Sequence, residues 1–127
     1  MKKDRVYFLA KDPHWTFIWW DIAPETIDKL KTEQGLDLST ARLTLRVHDV
    51  TDIIFDGGNS HFFFDIDVIG NTDHWYLDIW TCNRNYCVEV GLKQAGWFHP
   101  IVRSNTVALP SDRPSDAWEE RWSTLEI

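Results

Sequence analysis

Apolar and polar side chains alternate along most of this chain with a period of two residues. The clearest run covers residues 41–50, where Leu43, Leu45 and Val47 share one face and polar side chains share the other. Alternation with this period predicts a β-strand that has one buried side and one solvent-facing side. Similar runs bounded by turn-forming residues predict further strands at 6–11, 15–22, 62–68, 75–80, 86–93, 97–103 and 106–109.

The second of these strands, 15–22, is apolar on both faces, because Trp15 and Phe17 point to one side while Ile18 and Trp20 point to the other. We expect such a strand to be covered on both sides. Four aromatic rings are predicted to lie on the face of their strand that points away from the core. Either helices cover these rings, or the rings face solvent and are available to a ligand; the four are Trp20, Phe63, Tyr76 and Trp80.

Two short segments have helical spacing. The first, 23–35, places Pro24 in the first turn and ends at Gly35, and Ile27 with Leu30 forms its apolar stripe. The second, 115–126, places Trp118 and Trp122 four residues apart on one side. We expect the second helix to fold back onto the domain or to contact a partner.

About seven short strands separated by turns favour an antiparallel β-sandwich of the immunoglobulin or fibronectin III type over an α/β fold. Tyr86, which follows a polar turn at the start of a strand, fits the tyrosine corner of such sandwiches. The length of 127 residues suits one domain. We therefore predict a sandwich domain at 1–110, followed by a linker and helix at 111–127.

Composition and net charge limit the kinds of ligand that the chain is expected to bind. The chain holds eight Trp, seven Phe and three Tyr, more large rings than the inner faces of a small sandwich need. A net charge of −7 disfavours binding to nucleic acid and to anionic membranes. No apolar run is long enough for a membrane span or a signal peptide, which predicts a cytoplasmic protein with Cys82 and Cys87 as buried thiols.

The sequence offers no recognisable catalytic motif, and we expect a non-catalytic domain without a cofactor or metal. Two weaker alternatives involve metals. His61 and His74 flank one hairpin and could approach each other, although their spacing is not that of metal ligands. An acidic turn could supply oxygen ligands for calcium, or its side chains could simply form turns; it contains Asp49, Asp52, Asp56 and Asn59.

Several segments together resemble a known family. Residues 12–22 (DPHWTFIWWDI) are similar to a "DPxWxFxYWEI" opening, and residues 45–51 (LRVHDVT) are similar to an "LRVYDVT" strand. Residues 55–57, 86–91 and 102–105 also fit. These motifs belong to a bacterial family catalogued as domain of unknown function 4912, from which the chain departs at Trp19, His48 and Leu109. The resemblance implies no activity and no catalytic residues. Some relatives are joined to glycoside-hydrolase-like domains that process α-glucans, which favours a carbohydrate ligand.

Two hypotheses follow. In the first, the domain binds carbohydrate or supports a carbohydrate-acting partner, with contacts at Trp15, Trp20 and Tyr76 and with Arg46 or Asp65 as polar partners. In the second, it is a protein-interaction or assembly domain, including a homodimer, whose contact is the helix that carries Trp118 and Trp122.

Overall fold

A computed structural model describes residues 4–12, 15–79 and 83–109 of the chain. Within these ranges the chain forms eight strands and one helix. In chain order they are β1 (Arg5–Ala10), β2 (Trp15–Asp21), α1 (Pro24–Gln34), β3 (Arg42–Asp49), β4 (Phe62–Asp67), β5 (His74–Asp78), β6 (Asn85–Gln94), β7 (Trp97–Arg103) and β8 (Val107–Ala108).

The strands form two antiparallel sheets. The smaller sheet has the order β1-β2-β5, and the larger has the order β4-β3-β6-β7, with β8 also paired to β6. The predicted antiparallel sandwich of about seven strands with an inserted helix is therefore confirmed.

The hydrophobic core lies between the two sheets. As predicted, β3 and β6 turn their alternating aliphatic residues inward, and Tyr86 is almost fully buried among them. The smaller sheet contributes side chains from β1 and β2 to the same cluster. The most buried members of the core are Phe8, Ile18, Leu45, Val47, Tyr86, Val88 and Val90.

Strand β2 differs from its prediction. Its inward face carries Thr16, Ile18 and Trp20, all buried, and Trp20 is only 4% exposed. The prediction that Trp20 lies opposite the core face is therefore wrong. The prediction that β2 is covered on both sides is also wrong, since Trp15 on the other face is 45% exposed.

Helix α1 begins at Pro24 and ends before Gly35, whose φ of 68° is the left-handed conformation that glycine adopts readily. At its start, the Asp4 carboxylate accepts hydrogen bonds from the Ala23 N–H (2.8 Å) and the Thr26 hydroxyl (2.6 Å), which anchors the helix to β1. None of its residues is fully buried, so the predicted apolar stripe is only half-covered. Within the described ranges, no helix has the length and apolar character that crossing a membrane requires.

Several predictions concern residues outside the described ranges. They are the 115–126 helix with Trp118 and Trp122, the domain boundary at 110, and the positions of Trp80 and Cys82. Cys87 is buried, as predicted, and its burial raises the pKa of the thiol to about 11.

Candidate ligand-binding face

The outer side of the smaller sheet carries a continuous group of mostly aromatic side chains, which we call the aromatic face. Its side chains come from β1, β2 and β5, and strand pairing sets them in rows across the sheet. One row joins Tyr7, Trp19 and His74, and the next joins Leu9, Phe17 and Tyr76. The complete face consists of Tyr7, Leu9, Trp15, Phe17, Trp19, His74 and Tyr76.

Ring contacts hold this face together. The rings of Tyr7 and Trp19 stack with centroids 5.2 Å apart, and Phe17 lies 5.0 Å from Tyr76. Cross-strand aromatic pairs of this kind stabilise a sheet and limit the motion of the rings. Trp15 and Tyr76 nevertheless remain 45% and 54% exposed. The face therefore offers fixed rings to the solvent.

Charged groups border the aromatic face. The Lys11 ammonium lies 5.4 Å from the centre of the Tyr76 ring, and the Arg5 guanidinium lies 5.7 Å from that of Trp19. Asp73 hydrogen-bonds the His74 ring at 3.1 Å, and this bond lowers the pKa of the Asp73 carboxyl. Hydrogen-bond donors and acceptors therefore border the rings of the aromatic face.

The structure brings together two of the five residues predicted to contact a ligand. Trp15 and Tyr76 both belong to the aromatic face, on paired strands β2 and β5 that lie far apart in sequence. Trp20 does not join them, because it belongs to the core on the other side of β2.

Arg46 and Asp65 do meet each other, but on the outer side of the larger sheet, across the sandwich from Trp15. Two hydrogen bonds of 2.8 and 3.0 Å join the Arg46 guanidinium to the Asp65 carboxylate. The guanidinium lies between two rings, 4.1 Å from Phe63 and 4.3 Å from Phe98. The hydrogen bonds from Arg46 are the main cause that lowers the pKa of Asp65. This pair links β3 to β4 on the larger sheet. It cannot serve as the polar partner of Trp15 or Tyr76, which lie on the smaller sheet.

A buried polar network on the larger sheet was not predicted from the sequence. The His48 ring is bonded to the Ser60 hydroxyl at 2.9 Å and to the Glu89 carboxylate at 2.8 Å. Arg103 lies 3.5 Å from Glu89, and the ring of Phe55 covers His48 with centroids 4.5 Å apart. Ser60 and Phe55 both belong to the connection between β3 and β4. The network therefore fastens this connection to the sheet, and both ring nitrogens of His48 are engaged in doing so.

His61 and His74, considered above as a metal pair, lie in different parts of the sandwich. His61 precedes β4 of the larger sheet and bonds the carbonyl of Thr51 at 2.8 Å, while His74 belongs to β5 of the smaller sheet. In the part of the chain that the structure describes, no three His, Cys, Asp or Glu side chains are grouped as a metal site would require. In the acidic turn considered above, Asp49 at the end of β3 accepts a hydrogen bond from the Thr51 N–H, and Asp56 accepts one from the Gly58 N–H, so both carboxylates hold turns of the backbone.

The chain is similar to a family of domains of unknown function and to fibronectin III domains of known structure. A family model described as a domain of unknown function, DUF4912, matches residues 2–120. The third fibronectin III domain of human KIAA0343 protein is similar in structure, with a TM-score of 0.53, 15% identity, and coverage of 90% of this chain and 84% of that one. A fibronectin III domain of human collagen alpha-1(XX) has a TM-score of 0.49 and 15% identity, covering 91% and 86% of the two chains. No curated protein matches the chain. The first similarity shows a fibronectin III-like fold, and at this identity it shows the fold alone.

Proposed function

This chain belongs to the DUF4912 family, a domain of unknown function, and we propose that it is a non-catalytic domain that binds carbohydrate through its aromatic face. The observation that carries the proposal is the exposure of Trp15 and Tyr76 on one side of the smaller sheet. An exposed group of apolar rings on a small domain costs solubility, so its presence favours a recognition role.

The geometry of the aromatic face fits a sugar chain. Trp and Tyr rings present flat apolar surfaces with a polar edge, which suits the C–H face of a pyranose ring. Trp15 and Tyr76 lie on adjacent strands, one diagonal step apart, so two neighbouring sugar units can rest on the two rings. A preformed set of rings also reduces the ordering cost of binding, because the ring contacts already restrict Tyr76.

The polar partners must come from the same side of the sandwich. Lys11, His74 and Asp78 stand on or beside the aromatic face and can bond the hydroxyls of a sugar. They replace Arg46 and Asp65 in this role. Mixed donors and acceptors suit a neutral, hydroxyl-rich ligand, and an α-glucan is our specific candidate because of the family resemblance described above.

Titration with a soluble α-glucan should quench or shift the tryptophan fluorescence of the folded protein. We expect Trp15→Ala and Tyr76→Ala each to weaken this binding about tenfold, since a lost stacking ring is worth about 1.4 kcal/mol. Isothermal titration calorimetry of the same variants measures the affinity independently of the removed indole.

Phe63→Ala is the matched control, because Phe63 is 50% exposed but lies on the outer side of the opposite sheet. It should leave glucan binding unchanged. A wild-type protein that gives no response to any soluble α-glucan at about 10 mM, where even very weak complexes form, would refute the choice of ligand. Equal losses in Phe63→Ala and Tyr76→Ala would refute the choice of face.

A further inference from the structure

The aromatic face is left open to solvent by the elements that the structure describes. Four of its side chains are between 45% and 58% exposed, namely Tyr7, Leu9, Trp15 and Tyr76. Small monomeric domains rarely leave a contiguous apolar group of this kind uncovered. The outer side of the larger sheet is different, because the Arg46 guanidinium fills the space between Phe63 and Phe98 there. A covering segment or partner is therefore expected on the aromatic face.

The chain leaves the described residues beside one end of the aromatic face. The N–H of Leu109 donates to the carbonyl of Arg84 at 2.9 Å. The short connection 79–84 joins Asp78, at the end of β5, to the start of β6. Asp78 in turn pairs with Trp15 across β5 and β2. Leu109 and Trp15 therefore lie at the same end of the sandwich.

The segment 110–127, which follows Leu109, is long enough to reach the aromatic face. Trp118 is the ninth residue after Leu109, so the chain between them can span up to about 30 Å. Packed sheets lie only about 10 Å apart, so a path around the end of the sandwich uses a small part of that length. The intervening residues are polar or small and include two prolines, which suits a connection.

The predicted helix 115–126 has one apolar side. Trp118, Trp122 and Leu125 recur at intervals of four and three residues, so helical geometry places them on one stripe. Arg121 falls on the same stripe, because it is three residues after Trp118 and four before Leu125. The glutamates of the segment fall outside this stripe. The stripe therefore combines apolar side chains with a single cation.

A carboxylate on the aromatic face matches that cation. Asp78 is the cross-strand partner of Trp15, and side chains of directly paired residues share one face of a sheet. Asp78 is half-buried, and within residues 4–12, 15–79 and 83–109 no salt bridge engages its carboxylate. A guanidinium beside Trp15 can pair with Asp78 and contact the ring at the same time.

We propose that the segment 110–127 folds back around the end of the sandwich and packs Trp118, Trp122 and Leu125 on the aromatic face, with Arg121 beside Asp78. The segment then competes with any ligand for this face, so a ligand has to displace it. The contact itself does not require a carbohydrate ligand. Only the competition rests on the proposed function.

Hydroxyl-radical footprinting of the intact chain, read by mass spectrometry, measures how fast each ring reacts with solvent radicals. The double variant Trp118→Ala/Trp122→Ala should raise the rates of Trp15 and Tyr76 at least about threefold, as expected if the segment covers the face for two-thirds of the time or more. Trp97 is the matched control, since it is 74% exposed at the start of β7 in the other sheet, and its rate should not change.

A charge reversal tests the position of the segment. Arg121→Glu should raise the Trp15 rate about twofold, because it replaces attraction to Asp78 with repulsion. Combining it with Asp78→Arg should restore the slow rate. Arg113→Glu is the control, since Arg113 precedes the predicted helix and its reversal should leave the Trp15 rate unchanged. The buried Tyr86 ring should stay unreactive in every variant that is folded.

Unchanged Trp15 and Tyr76 rates in Trp118→Ala/Trp122→Ala would overturn the proposal. Protection that disappears on dilution would also overturn it, because the segment would then cover the face of a second copy. Titration with a soluble α-glucan separates this proposal from the proposed function: the double variant should bind the glucan about threefold more tightly than the wild type. If the ring rates rise as expected but neither protein binds the glucan, the carbohydrate ligand is wrong and the contact of the segment stands.

Discussion

Replacing Asp49 with alanine should lower the free energy of unfolding by about 2–4 kcal/mol near neutral pH. Breaking a buried ion pair costs about 3–5 kcal/mol, and the partial exposure of Arg84 reduces this cost. Asp49 is fully buried, and its carboxylate accepts hydrogen bonds from Arg84 at 2.8 Å and from the Thr51 hydroxyl at 2.7 Å. The Thr51 hydroxyl also accepts the Asn85 N–H at 2.9 Å, so the loss spreads to the start of β6.

The contribution of Asp49 to the free energy of unfolding should decrease as the pH becomes acidic. Burial is the largest influence on its pKa and raises it, but the hydrogen bonds from Arg84 and Thr51 together outweigh burial and hold the pKa below the ordinary value of 3.8. The unfolded chain therefore binds this proton more readily than the folded chain. The contribution of Asp49 is complete above the unfolded-state pKa and is lost as the pH falls through the folded-state pKa.

Urea unfolding of the wild type and Asp49→Ala at about pH 7 and about pH 3 measures both effects. The difference between the two proteins should be smaller at the acidic pH. Asp67→Ala is the control, since this carboxylate is 45% exposed and pairs with Lys93 at 3.2 Å on the surface, where a pair is worth about 1 kcal/mol or less. A difference for Asp49→Ala that grows toward acidic pH would show that its carboxylate is not stabilised in the ionised form.

The strands that the sequence predicts best are those in which only one face is apolar. In β3 and β6 the aliphatic residues alternate with polar ones, so the inward face is unambiguous. Strand β2 is apolar on both faces, and its own pattern cannot decide between them. Its pairing with β1 does decide, because Trp20 lies opposite Val6 and Ile18 opposite Phe8, both of them core residues. The orientation of Trp20 thus depends on a neighbouring strand.

The candidate sites depend on contacts that join distant parts of the chain. Trp15 and Tyr76 become neighbours only because β2 pairs with β5, which local periodicity does not reveal. The same limit explains Arg46 and Asp65: their pattern indicates outward-facing side chains, but not which of the two outer surfaces they occupy.

Gly91→Ala should lower the free energy of unfolding by roughly 2–3 kcal/mol, because the added methyl group overpacks the site and forces the backbone to shift. A Cβ atom at this position would collide with the carbonyl oxygen of His99 and lie 2.9 Å from both its carbonyl carbon and the Phe98 ring. Gly91 lies opposite Pro100, where the register between β6 and β7 shifts. Where two backbones come this close at an irregularity in the pairing, only glycine leaves enough space.

A second substitution identifies which of these atoms sets the cost. The Phe98 ring can move, but the His99 carbonyl is part of β7 and cannot retreat without disturbing the pairing of that strand. In the Phe98→Ala background, Gly91→Ala should therefore still destabilise the protein by most of its original amount. Gly58→Ala is the control, because a Cβ there meets only Asp56 Oδ1 at 3.9 Å, and this change should cost about 0.5 kcal/mol or less. If Gly91→Ala cost nothing once Phe98 is alanine, the ring and not the backbone would be the obstacle, and the close approach of β6 and β7 would not be what excludes a side chain.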